Sequence, residues 1–137
     1  MTSKNLLSKK CLPCEGGAKP LTRPEAEELL KQTPEWKIIE NQSGRPRPRS
    51  QASHLLISRT FTFKNFKETR TFFTKVADIA DSENHHPDFE VSWGKCTLTL
   101  WTHAIGGLSE NDFIVAAKVD ALPKTPSENS DENVPGL

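Results

Sequence analysis

The chain has 137 residues and a mass of 15.3 kDa, which fits one domain of ordinary size. Its 18 Lys and Arg residues balance 18 Asp and Glu residues, so no net charge attracts nucleic acid, a membrane surface or a polyanionic substrate. No stretch approaches the roughly 18 apolar residues that a membrane-spanning helix needs. The composition predicts a small molecule or another protein as the partner, with no direct nucleic-acid binding and no membrane association.

Three segments of the chain differ in composition. Residues 1–20 are polar and contain Cys11 and Cys14, and we interpret them as an extended N-terminal arm. A structural zinc site needs about four ligands, and here there is one cysteine pair without a nearby histidine. Residues 21–122 hold all the Phe and Trp side chains and are predicted to form the domain, whereas residues 123–137 are rich in Pro, Ser, Glu and Asn and are predicted to be a disordered tail.

The cysteine content and the N-terminus indicate the compartment. Three cysteines cannot all pair with one another, and the first ten residues lack the apolar region of a secretory signal. These features favour a cytoplasmic protein in a reducing compartment. The lysines near the start leave a short organelle-targeting leader open.

Local patterns predict seven main helices and strands. Thr22 with Glu25 forms a capping box that opens a short helix, Asn65 with Glu68 opens a second, and Ser109 opens a third. The second helix has an apolar stripe, and period-two alternation indicates the strands. The apolar stripe comprises Phe66, Phe73, Val76 and Ala80, with Phe72 and Ile79 beside it. The predicted strands are Trp36 to Ile39, Leu55 to Phe63, Phe89 to Trp93 and Cys96 to Leu100.

The connections between these elements predict the fold class. Residues 41–53 contain alternating Arg and Pro and are interpreted as a solvated hairpin loop, and Gly94-Lys95 is predicted to be a tight turn. The pattern predicts an α+β fold in which about three helices pack on one face of a small four-stranded, antiparallel-dominated sheet. A sheet edge and the small residues Ala116, Ala117 and Ala121 of the last helix predict self-association.

Three of the four histidines, His85, His86 and His103, fall in one region of the sequence. A metal site is disfavoured because adjacent side chains point apart. A purely structural role is open, since histidine followed by proline suits the end of a helix. The third interpretation is acid/base catalysis of a dehydration, in which imidazoles donate and accept protons near neutral pH. Sequence signatures of covalent, phosphoryl or hydride chemistry are absent.

The residues around these histidines resemble the signature of the pterin-4a-carbinolamine dehydratase family. The signature is Asp81-x-x-x-His85-His86-Pro87, followed by Trp93, His103 and Asp112. The similarity covers roughly residues 20 to 122, and its further segments are Trp36, Phe61-Thr-Phe63-Lys-Asn-Phe66, Val76-Ala-Asp-Ile-Ala80 and Thr102-His-Ala-Ile-Gly-Gly-Leu-Ser-Glu-Asn-Asp-Phe113.

The resemblance implies a hydro-lyase that converts 4a-hydroxytetrahydrobiopterin to quinonoid dihydropterin during tetrahydrobiopterin recycling, without metal or organic cofactor. It implies that His85, His86 and His103 are catalytic, and that Asp81 and Asp112 orient the histidines or the substrate. The residues implied to bind the pterin are Asp81, Asn84, His85, His86, Trp101, Thr102, His103, Ala104 and Asp112.

The resemblance also implies partners for the chain. Members of the family form homodimers or homotetramers. Some members act as a dimerisation cofactor of a homeodomain transcription factor, so a protein-binding module is the alternative function.

Overall fold

The computed structural model describes residues 6–11, 19–41 and 54–122. Within these ranges the main elements are α1 (Arg23–Leu30), β1 (Lys37–Asn41), β2 (His54–Thr62), α2 (Phe66–Glu83), β3 (Asp88–Ser92), β4 (Lys95–Leu100) and α3 (Glu110–Asp120). Short 3-10 turns cover Leu6–Ser8 and His103–Ile105. None of the described helices is long and apolar enough to cross a membrane. Cys14, most of the predicted Arg/Pro-rich loop and the predicted tail lie outside the described residues.

The four strands form one antiparallel sheet in the order β1-β2-β4-β3. Phe61 of β2 pairs with Cys96 of β4, and both side chains are buried on the face that the helices cover. The opposite face carries hydroxyl side chains, and the Oγ1 atoms of Thr60 and Thr97 lie 2.8 Å apart there. The predicted α+β fold, with its helices on one face of a four-stranded antiparallel sheet, is therefore confirmed.

The first two helices begin where the sequence places their caps. Thr22 Oγ1 accepts a hydrogen bond from the backbone N–H of Glu25, and Glu25 Oε1 accepts one from the backbone N–H of Thr22. Asn65 Oδ1 accepts from the backbone N–H of Glu68 in the same way. These side chains satisfy N–H groups of the first turn that have no partner inside the helix. The cap of α3 belongs to the candidate site described below.

The buried face of α2 differs from the predicted stripe at its N-terminal end. Phe66 was expected to be buried, but it is 45% exposed, and Phe72 is the buried aromatic residue. Phe72 packs against Phe61 with 4.6 Å between ring centroids. The hydroxyl of Thr69 lies 3.0 Å from the carbonyl oxygen of Trp93 in the β3–β4 turn, so Phe66, one turn earlier, lies beyond the end of the sheet.

The turn between β3 and β4 lies one residue earlier than predicted. Ser92 pairs with Lys95, so the two-residue loop is Trp93-Gly94 rather than Gly94-Lys95. A Cβ atom at Gly94 would lie 3.0 Å from the carbonyl oxygen of Phe63, which explains why the glycine occupies the second loop position. The shift places Trp93 in the turn, where its side chain is 66% exposed.

Residues 6–11 pack against the domain, and we call them the N-terminal strap. The sequence was interpreted as an extended arm here, but Leu6 is fully buried in the core and begins a 3-10 turn. The backbone N–H of Leu6 donates to Oε1 of Gln32 at 3.0 Å. An apolar side chain within a polar segment was the signal for this docking. The division of the chain into arm, domain and tail stays a prediction.

The last helix lies inside the molecule rather than on its surface. The strap, α1 and α2 all contact α3, and Ala116 is fully buried. Of the three small residues that were predicted to form an association surface, Ala116 serves close packing, whereas Ala117 is half-buried and Ala121 is exposed. Self-association stays a prediction, and the edge of the sheet is its other predicted surface.

Arg59 is the polar exception on the buried face of β2, and Asp120 at the end of α3 explains it. Arg59 NH1 donates to Asp120 Oδ1 at 2.8 Å, and Trp36 Nε1 donates to the same oxygen at 2.8 Å. The Arg59 guanidinium also lies 4.3 Å from the ring centroid of Phe61. One carboxylate thus ties the start of β1 and the middle of β2 to α3.

We expect Asp120→Asn to lower the free energy of unfolding by about 2 kcal/mol, because it removes the charged acceptor of two partly buried donors. Urea-induced unfolding followed by circular dichroism measures this loss. Glu27→Gln is the control, since it breaks an exposed ion pair with Arg23 on α1 and should cost much less. Equal unfolding midpoints for the two variants would contradict the role assigned to Asp120.

Candidate active site

The segment that carries the two adjacent histidines begins at a left-handed residue. α2 ends at Glu83, and Asn84 has φ 55° and ψ 40°. The N–H of His85 donates to the carbonyl of Ala80 at 3.1 Å, and the N–H of Asn84 donates to that of Asp81 at 3.3 Å, which together form a Schellman motif. Asparagine is one of the few residues that tolerate this conformation. The chain therefore reverses directly before His85.

The first histidine is held by a buried carboxylate on α3. His85 Nε2 lies 2.6 Å from Asp112 Oδ1, and the Asp112 side chain has no solvent exposure. Asp112 Oδ2 accepts from the hydroxyl of Thr102 at 2.8 Å and from the backbone N–H of Ser109 at 2.9 Å. We call these four residues the Asp112 network. An ionised carboxylate only accepts, so Nε2 of His85 donates to it and Nδ1 is the nitrogen left for a reactant.

The direction of the hydroxyl hydrogen bonds follows from this arrangement. Thr102 has one hydroxyl proton, which goes to Asp112, so the hydroxyl of Ser109 donates to Thr102 Oγ1 at 2.7 Å. Ser109 Oγ in turn accepts from the backbone N–H of Asn111 at 3.2 Å. Ser109 was predicted only as a helix cap. The Ser109-x-x-Asp112 spacing was the available signal, because it places the site aspartate at the third position of the capping box.

The second histidine contacts a different helix. His86 Nε2 lies 2.9 Å from Asp81 Oδ1 in the last turn of α2, and both side chains are exposed, so the pair stabilises little. The adjacent His85 and His86 thus point toward carboxylates on α3 and α2 respectively. Within the described residues no three His, Cys, Asp or Glu side chains form a group suited to a metal ion.

The third histidine lies three residues beyond β4, in a turn rather than at the strand end that the alternation before it predicts. β4 ends at Leu100, and His103 begins the 3-10 turn His103–Ile105. An isolated bridge from Thr102 to Gly107 closes this turn, with the N–H of Thr102 donating to the carbonyl of Gly107 at 2.7 Å. Gly106 has φ 68°, a conformation that favours glycine and that reverses the chain here. His103 is therefore held by a closed turn rather than by the sheet.

An aromatic contact orients the ring of His103. Its centroid lies 3.9 Å from that of Trp101, with 33° between the two planes. Trp101 Nε1 lies 3.4 Å from Asp88 Oδ2, at the start of β3. Asp88 was not among the predicted site residues, and only the strand register brings it near Trp101. His103 and Ala104 are both exposed, as is Asn84.

The Asp112 network connects the two histidine segments. His85 contacts Asp112 directly, and His103 follows Thr102, which contacts the other oxygen of the same carboxylate. His85 is largely buried, whereas His103 is open to solvent. Two imidazoles in different surroundings can supply a proton donor and a proton acceptor near neutral pH. The arrangement suits acid/base chemistry on a small molecule bound at the open side.

Comparisons with known proteins agree on one family. The model of the family described as "Pterin 4 alpha carbinolamine dehydratase" matches residues 19–122. A protein of Nitrosomonas eutropha is 48% identical over 119 residues, which are 86% of this chain and 93% of that protein. A protein of Methylococcus capsulatus is 44% identical over 122 residues, 89% of this chain and 96% of that protein. Both are named provisionally as pterin-4-alpha-carbinolamine dehydratases.

A solved structure shares the fold at lower identity. It is a protein of Brucella melitensis described as a transcriptional coactivator/pterin dehydratase, with a TM-score of 0.61 and 29% identity. The match covers 75% of this chain and 97% of that one. Since the family model spans most of the chain and the relatives match over nearly their whole length, the chain belongs to the pterin 4 alpha carbinolamine dehydratase family, a family of hydro-lyases.

Proposed function

We propose that this chain removes water from 4a-hydroxytetrahydrobiopterin to give quinonoid dihydropterin, as a cytoplasmic step of tetrahydrobiopterin recycling. Family membership supports the reaction class. One observation supports histidine catalysis: His85 Nε2 lies 2.6 Å from the fully buried carboxylate of Asp112, and the Asp112 network leads through Thr102 to the exposed His103.

The proposed reaction needs two proton transfers. The bond between the 4a carbon and its hydroxyl oxygen breaks, and a protonated imidazole donates a proton so that the hydroxyl leaves as water. The neighbouring ring nitrogen loses a proton to a neutral imidazole, and its electron pair forms the new carbon–nitrogen double bond. One proton is given and one is taken, so exchange with solvent returns both histidines to their starting states. The proposal requires no metal or organic cofactor.

Solvent exposure suggests which residues contact the substrate. Asp112 and Thr102 are buried, so we assign them the orientation of His85 rather than contact with the pterin. Trp101 offers an aromatic surface beside His103 against which a flat ring can stack. The exposed or partly exposed residues that we assign to pterin contact are Asp81, Asn84, His85, His86, Trp101, His103 and Ala104.

We expect His103→Ala to lower kcat by about 10² to 10⁴, the usual contribution of a positioned general acid or base. The melting temperature should change little, because an exposed imidazole contributes little to core packing. Stopped-flow measurement of the loss of synthetic 4a-hydroxytetrahydrobiopterin, corrected for its spontaneous decay, gives kcat.

Thr60→Ala is the control for this experiment, since Thr60 lies on the open face of the sheet and should leave kcat unchanged. The double variant His85→Ala/His103→Ala should lose less than the product of the two single losses if both imidazoles serve one reaction. A lower melting temperature with unchanged turnover per folded His103→Ala molecule would show that the residue is structural.

A protein-binding role is the second candidate function, because the Brucella melitensis structure is described as a transcriptional coactivator as well as a dehydratase. This chain would then act as a dimerisation cofactor of a transcription factor. Binding through another surface does not need His103. A transcription factor captured equally by the original chain and by His103→Ala would support this role, whether or not the dehydratase activity is present.

We also propose that the chain forms a homodimer or homotetramer through the edge of its sheet. β3 is an edge strand of the described sheet, and Val91 is 39% exposed on it. An edge strand with exposed apolar side chains and open backbone N–H and C=O groups favours pairing with a second copy.

Light scattering at micromolar concentration should give two or four times the chain mass of 15.3 kDa. Val91→Lys should shift the mass toward the monomer, because it places a charge within the apolar contact. Glu90→Lys is the matched control on the opposite face of the same strand. A monomeric mass for the original chain would refute the proposed assembly.

A further inference from the structure

The last turn of α2 carries a buried charge that the proposed reaction does not use. The side chain of Glu83 is only 4% exposed and lies two residues before His85. Glu83 Oε2 accepts from Lys118 Nζ on α3 at 2.5 Å, and Oε1 accepts from the backbone N–H of Cys11 in the N-terminal strap at 2.8 Å. One carboxylate therefore joins α2, α3 and the strap.

The surroundings keep this carboxylate charged. Burial acts to raise the pKa of Glu83, but hydrogen bonds from Lys118 and from the N–H of Cys11, with the charges of Lys118 and Lys10, outweigh it and lower the pKa. Removal of the carboxylate charge would leave the ammonium of Lys118 partly buried without its partner. The ion pair is therefore a strong tie between the two helices.

The strap also contacts the first turn of α3. Lys9 Nζ pairs with Glu110 Oε2, and Cys11 Sγ donates to the carbonyl oxygen of Asn111 at 3.6 Å. Burial, followed by the charge of Glu83, raises the pKa of the Cys11 thiol to about 12, so the thiol stays protonated and can donate. Glu110 and Asn111 directly precede Asp112. The strap thus contacts the last turn of α2, which precedes His85, and the first turn of α3, which contains Asp112.

The bond between His85 and Asp112 needs this external support. His85 lies outside α2 on a reversed turn, and its partner lies on a different helix. Hydrogen bonds weaken steeply as their geometry degrades, and a catalytic arrangement tolerates displacements of only about 0.5 Å. Lys118 is six residues, or about 9 Å along the helix, from Asp112. The ion pair of Lys118 with Glu83 is thus a second contact between α3 and the end of α2, two residues before His85 on the α2 side.

We propose that Glu83 is a positioning residue for the dehydration: with Lys118 and the strap it sets the end of α2 against the first turn of α3, so that His85 Nε2 meets Asp112 Oδ1. This inference rests on the proposed function of His85. Glu83 itself is buried and acts through His85 rather than on the substrate.

The test is Glu83→Gln in the full chain. We expect kcat to fall by about tenfold to a hundredfold, the effect of misplacing a reacting group, while KM changes by less than about twofold because substrate contacts remain. Long-range ¹H–¹⁵N spectra of the imidazoles provide a second readout. The signal that His85→Ala removes should report one tautomer, with the proton on Nε2, in the original chain and tautomer exchange in Glu83→Gln.

Asp120→Asn is the matched control. It breaks the ion pair of Asp120 with Arg59, which joins the same last turn of α3 to the sheet instead of to α2, and should also lower stability. It should leave kcat per folded molecule within about twofold and the His85 signal unchanged, because the donors whose hydrogen bonds it weakens, Arg59 and Trp36, belong to neither α2 nor the strap. If Glu83→Gln does not fold, Glu83→Gln/Lys118→Met replaces it, since this double variant leaves no unpaired ammonium.

The results distinguish failure of the role inferred for Glu83 from failure of the proposed dehydratase function. A lower melting temperature with the original kcat and the original His85 signal would make Glu83 a structural residue and overturn the inference. If the original chain shows no dehydratase activity, the proposed function fails. The imidazole spectrum then still decides whether Glu83 holds His85 on Asp112.

Discussion

The buried carboxylate of Asp112 is the constraint on which the site depends. A carboxylate without solvent exposure costs several kcal/mol unless hydrogen-bond donors replace water around it. Its donors come from the segment after α2 (His85), from the segment after β4 (Thr102) and from the residue that caps α3 (Ser109). The ends of three elements must therefore reach their positions together, because each supplies part of what allows the charge to be buried.

The neighbouring turns give these donors their directions. Asn84 reverses the chain after α2 and separates His85 from the helix axis. Gly106 reverses it after β4, and the bridge between Thr102 and Gly107 holds the turn of His103 closed. Each reversal uses a residue that tolerates positive φ, so the strain is small. The histidines lie on short, hydrogen-bonded turns between rigid elements, which suits side chains that must be both accessible and well oriented.

Local sequence patterns predicted the fold class and the helix starts, because caps and apolar periodicity act within a few residues. These patterns predicted burial wrongly where a residue packs against a segment that is distant in sequence. Phe66 and Trp93 are exposed because the helix and the hairpin extend past their partners. Leu6 and Ala116 are buried because the strap and α3 pack together, and a local pattern does not identify the partner on which an apolar side chain packs.

The candidate site shows the same limit. The resemblance supplied the histidines and both aspartates, yet it could not assign Asp112 to His85 and Asp81 to His86, since that choice depends on how α2 ends. Glu83 and Asp88 carried no sequence signal at all. Their contacts arise from helix packing and strand register, which are properties of the whole fold.

The double role of Asp112 has a consequence for how such a protein can diverge. Its Oδ2 completes the capping box of α3 while Oδ1 contacts His85, so one side chain serves both the fold and the proposed chemistry. A descendant that lost the reaction and kept only a binding role would still be selected to retain this aspartate. His103, which is exposed and caps no helix, would be free to drift first. In a relative of this chain, the residue at the position of His103 is therefore the better marker of the proposed catalysis.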